Sequence, residues 1–64
     1  MTTVLIFAGG RFVEEVEYHG EEADLREFLD EEVRKGFAYD WDEARAYEGG
    51  PDACNGEPSY VLTK

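Results

Sequence analysis

The sequence predicts an α+β domain of order ββαββ, with one helix packed on one face of a four-stranded mixed sheet. Three observations predict it. A continuous β-favouring run opens the chain, Thr3-Val4-Leu5-Ile6-Phe7-Ala8, and a glycine pair follows at once. After Gly20 the apolar spacing changes from two residues to a helical period. The last third returns to short β-favouring runs broken by Gly and Pro. With 64 residues, the chain is one domain spanning 1–64, near the lower size at which a core holds without a staple.

The opening run has the composition of a central strand. Gly9-Gly10 supplies the positive φ that a tight hairpin turn requires. From Arg11 to Tyr18 the residues alternate, which places Phe12, Val16 and Tyr18 on one face and Val13, Glu15 and Glu17 on the other, with Glu14 as the exception on the first face. Leu25, Phe28, Leu29 and Val33 then form one stripe of an amphipathic helix. Glu21, Glu22 and Asp24 at its start and Arg34 and Lys35 at its end complement the helix dipole, and Gly36 is placed to end it. Phe37, Tyr39 and Trp41 alternate beyond it, Ala44 to Glu48 reads as a third strand, and Ser59 to Thr63 as a fourth. Between these last two lies a long loop, Gly49 to Pro58. The first and last strands are the most apolar, so they are expected side by side and parallel at the centre, in the order 2-1-4-3 of a β-grasp-like sheet.

Leu5-Ile6-Phe7-Ala8-Gly9-Gly10, followed by Val16-Glu17-Tyr18-His19-Gly20, resembles the first hairpin of the small immunoglobulin-binding domains of bacterial surface proteins. The resemblance covers residues 5–20 and implies the β-grasp-like fold; the helix and later strands do not share it. Immunoglobulin binding, which that family would imply, is expected only of a secreted array.

Charge carries most of the functional information. The formal net charge is −10, and ten of the sixteen acidic residues fall between Glu14 and Glu32, interrupted by one base, Arg26. Such a local field repels polyanions and attracts cationic partners. Direct nucleic-acid binding would have to overcome this whole field and is not expected. Four Phe, four Tyr, one Trp and a patterned 42% hydrophobic content argue against a disordered acidic tail. The start of the chain has neither a basic flank nor an apolar run of signal or membrane length, so no membrane association is expected.

A lone Cys54 permits no intrachain disulfide and points to a reducing, cytoplasmic setting. Asp40, Asp42 and Glu43 lack the glycine and downstream glutamate of a calcium loop. Cys54 has no activating neighbour, Ser59 is the one serine, His19 stands alone, and the chain does not end in Gly-Gly. No catalytic residue, cofactor or metal is expected, and the chain is not expected to be an enzyme.

The expected activity is protein binding through the acidic surface, carried by Glu14, Glu15, Glu17, Glu21, Glu22, Glu27, Asp30 and Glu31, with Tyr18 as a possible anchor. Carboxylates on strand 2 and the helix would imitate a phosphate path and occupy the basic nucleic-acid-binding cleft of a target protein. In size and charge the chain is similar to the small acidic inhibitors made by phages, including DNA mimics. That similarity implies an inhibitor of phage or mobile-element type, acting against a defence nuclease or a transcription component, as a monomer or weak homodimer. The acids also have a plainer use: those at the helix start serve the dipole, and those on strand 2 guard a sheet edge. Salt adaptation is a further reading, but it scatters acids rather than clustering them. The alternative function is a neutral adaptor that docks through a strand edge or the 49–58 loop.

Overall fold

The computed structural model describes residues 1–36 and 40–64. The elements are β1 (Thr2–Ala8), β2 (Arg11–Tyr18), α1 (Glu22–Arg34), β3 (Glu43–Glu48), a 3-10 helix η1 (Pro51–Asn55) and β4 (Tyr60–Thr63). The ββαββ order, the single helix and the four strands agree with the sequence. The expected alternation of Phe37 and Tyr39 lies outside the described residues.

Helix α1 seats Leu25 and Leu29 on Val4 and Ile6 of β1, and all four side chains are fully buried. Burial of a large aliphatic side chain contributes roughly 1.5–3 kcal/mol, so this seat is a major stabilising contact. Phe28 and Val33 of the expected stripe join it at the margin. Glu22 and Asp24 occupy the first turn and Arg34 the last. The helix stops at Gly36, whose φ of 79° lies in the left-handed region and whose N–H donates to the Val33 carbonyl.

The sheet corrects the expected topology. It is antiparallel throughout and its order is β2-β1-β3-β4, not mixed and not 2-1-4-3. The partner of β1 is β3, paired from Thr2–Glu48 to Phe7–Glu43. Strand β4 has four residues and lies at the edge, with Val61 facing solvent. The physical reason is side-chain size and strand length rather than apolar content. Ala44 and Ala46 of β3 are small and fully buried under the helix, and the six-residue strand matches β1 over a longer ladder. Strands β2 and β3 thus run parallel on either side of β1, and α1 crosses over it between them.

Strand β2 carries a second correction. Its pairing runs from Thr2–Tyr18 to Ile6–Glu14 and then jumps to Phe7–Phe12, which leaves Val13 as the extra residue of a β-bulge. Beyond a bulge the two-residue alternation changes face. Val13 packs against the core, whereas Phe12 is 56% exposed on the opposite face. There it meets Phe7 edge-on, with ring centroids 6.0 Å apart.

Trp41 is core, 2% exposed, and its Nε1 donates to Asp30 Oδ1 at 3.1 Å. The Arg26 guanidinium and the Lys64 ammonium lie 5.4 and 4.9 Å from its ring centroid. The 49–58 loop is folded rather than open. Thr3 Oγ1 donates to the Gly49 carbonyl at 2.9 Å, the Gly49 N–H donates to the Met1 carbonyl, and η1 touches β1 and β3.

Glu14, opposite Ile6, is drawn under the helix side of the sheet, and its Oε2 is buried without a hydrogen-bond partner among the described residues. An unsatisfied buried polar atom is costly and a β-branched residue suits this position. Glu14→Val is therefore expected to stabilise the fold by about 1–2 kcal/mol. Urea unfolding followed by Trp41 fluorescence checks this, and a lowered midpoint would contradict it.

Candidate protein-binding surface

The roll of α1, set by Leu25 and Leu29, sorts the acids. Asp24, Glu27, Glu31 and Glu32 turn toward β2. With Phe28, Lys35 and Tyr18 they line a shallow groove of about 400 Å³. Four carboxylates thus share one groove with one ammonium. On the other flank Asp30 is committed to the fold: it accepts from Trp41 and lies 3.6 Å from Lys64 Nζ, which bonds to Asp40 at 3.0 Å.

The nine residues singled out from sequence are therefore not one surface. Glu27 and Glu31 lie in the groove, and Glu21 and Glu22 are exposed at the start of α1. Glu15 and Glu17 project from the face of the sheet opposite the helix, because they pair with Leu5 and Thr3. Glu14 is half-buried and Asp30 is engaged internally. Tyr18 is 5% exposed and is no free anchor. Its ring leans on Phe28 at 5.0 Å and its hydroxyl donates to the Glu21 carbonyl at 2.7 Å. Gly20 makes this possible, since a Cβ there would stand 2.6 Å from Tyr18 Cζ. Tyr18 is instead a buried wall of the groove.

Sequence reasoning missed Asp24, Glu32, Phe28 and Lys35 as groove residues, although the signal was present. Residues 24, 27, 28, 31, 32 and 35 fall at helical spacing, one stripe beside the core stripe. Reading the acids as a linear run concealed it.

Glu31 is held below the usual carboxylate range by its hydrogen bond to Arg34, then by that residue's charge. The pair is solvent-exposed and adds little stability. Both sheet edges are blunted. Strand β2 carries its bulge and glutamates, and at β4 the Arg26 Nη2 donates to the Thr63 carbonyl at 2.8 Å. The Cys54 thiol is pushed up by burial, then by Glu15 nearby, which disfavours the thiolate. Among the described residues no group of three or more His, Cys, Asp or Glu is disposed to hold a metal, and no helix is long and apolar enough to cross a membrane.

No family model, curated protein or solved structure matches the chain.

Burial raises the Tyr18 hydroxyl above its ordinary value, followed by the charges of Asp24 and Glu21. Tyr60 is raised by burial, then by Glu22, Tyr18 and Glu48. A group raised in the folded state contributes stability that is complete below its unfolded value of about 10 and lost as pH rises through the folded value. The urea midpoint is therefore expected to fall above about pH 10, and Tyr18→Phe to reduce that fall. An equal fall in the variant would show that Tyr18 is not responsible.

Proposed function

We propose that this domain binds a partner protein by laying its acidic groove on a basic surface of the kind that otherwise holds nucleic acid, and so blocks that surface. The observation that supports this reading is the stripe Asp24, Glu27, Glu31 and Glu32, four carboxylates aligned along one helix flank above the apolar wall of Phe28 and Tyr18. Complementary charge of this kind raises association rate and discriminates among partners more than it adds raw affinity. The half-buried Phe28 in that wall supplies contact area that charge alone does not. Glu15 and Glu17 add to the field but lie on the other side of the sheet, so they are not contacts of the same interface. In this reading the chain acts as an inhibitor of DNA-mimic type. Occupation of the cleft, not chemistry, is its effect.

The experiment is affinity capture from source-cell lysate with the intact chain and with a Glu27→Lys/Glu31→Lys/Glu32→Lys variant, eluted at rising salt and identified by mass spectrometry. Screening shortens from about 10 Å at 0.1 M to about 3 Å at 1 M salt. A nucleic-acid-binding protein is expected to be captured by the intact chain, released by salt and lost by the variant. A partner held equally by both proteins through high salt would overturn the proposal.

A further inference from the structure

Among the described residues, the face of the sheet turned away from α1 is covered over only part of its length. The segment from Gly49 through η1 lies over the end that carries Thr3 and Tyr47, which are 4% and 6% exposed. Beyond it two cross-strand rows are left uncovered by the described residues. One runs Glu15, Leu5, Arg45, Val61 and the other Phe12, Phe7, Glu43, Thr63. Phe12 is 56% and Val61 46% exposed, while Leu5 and Phe7 are half-buried between them. Large apolar side chains gathered on one open face mark an interaction site more often than single exposed ones do.

The charges around these rows select the occupant. Arg45 bonds to Glu43 and stacks its guanidinium 4.5 Å from the Phe7 centroid, so its charge is neutralised and its plane extends the apolar surface. Glu15 and Glu17 project on the same face along the β2 side, and Glu17 meets the exposed His19 at 3.0 Å. The face is therefore apolar at its centre and acidic along one border. A second copy is a poor occupant, because it brings the same glutamates and its own formal charge of −10. We infer that this open sheet face is a docking surface for an amphipathic segment of another protein, with apolar side chains seated on Phe12, Phe7 and Val61 and a lysine- or arginine-bearing flank against Glu15 and Glu17. It lies on the layer opposite the helix groove, and the inference stands independently of the proposal above.

The test uses the full ¹⁵N-labelled chain, titrated with an 18-residue Leu/Lys peptide patterned as an amphipathic helix. A scrambled peptide of the same composition and a Leu/Glu peptide of the same pattern are run in parallel. The patterned Leu/Lys peptide is expected to shift the amides of Phe7, Phe12, Arg45 and Val61 in a saturable way. Phe12→Ser and, separately, Val61→Thr are expected to weaken it, the first by about tenfold or more. Glu27→Lys/Glu31→Lys is expected to leave those shifts unchanged. Trp41 lies on the helix side, and its fluorescence confirms that each variant is folded. Four outcomes would overturn the inference: shifts confined to the helix groove, equal binding of the scrambled or Leu/Glu peptide, Phe12→Ser binding as the parent does, or self-association of the free chain that Phe12→Ser abolishes. If groove reversal removes a lysate partner while Phe12→Ser leaves peptide binding intact, the groove proposal stands and this one falls.

Discussion

The seat of Leu25 and Leu29 on Val4 and Ile6 determines the roll of α1, and that roll determines which way each charge on the helix faces. One flank of the helix then faces β2 and holds four carboxylates; the other faces Trp41 and holds Arg26 and Asp30. A chain with formal charge −10 folds against its own repulsion, so its few cations matter. Four of the six are drawn into pairings: Arg26 and Lys64 at Trp41, Arg34 with Glu31, and Arg45 with Glu43. Arg26 and Lys64 secure the margin of the core, Arg45 serves the opposite face, and Arg34 offsets one groove carboxylate, so Asp24, Glu27 and Glu32 share the groove with Lys35. A fold requirement and the proposed binding surface thus arise from one distribution of charge.

The bulge at Val13 is the second constraint, and it acts on the other layer. By inserting one residue it replaces Phe12 with Val13 at the core and leaves Glu14 beneath the helix side. Phe12 is then held out beside Phe7. Bulges recur where a sheet must re-aim a side chain, and this one turns the hairpin end of the open face aromatic. The two surfaces have different physics. As proposed, the groove acts through long-ranged charge that salt screens, whereas the open face acts through short-ranged apolar contact with one charged border.

Helical period, the Gly9-Gly10 turn and the Gly36 stop were all legible in the sequence, because each rests on local chemistry that tertiary packing did not override. The pairing of β1 was not. It depended on the small size of Ala44 and Ala46 beneath the helix, and counting apolar residues does not report that. The face of Phe12 was misread for a related reason: strict alternation carries no sign of an inserted residue. Of the residues the sequence singles out, Glu27 and Glu31 line the groove, whereas Asp30 and Tyr18 are engaged in hydrogen bonds within the fold. Their internal partners, Trp41 and the Glu21 carbonyl, follow only from the packed structure.

Side-chain NOEs in the isotope-labelled chain test this assignment of faces most directly. The account predicts contacts of the Phe12 ring with Phe7 and none with Leu25, Leu29 or Val33, together with contacts of Val13 methyls to the core. Phe12 contacts to the helix methyls, with Val13 turned to solvent, would mean an unbulged β2. The open face would then lose its anchor, and the two-surface account would fail.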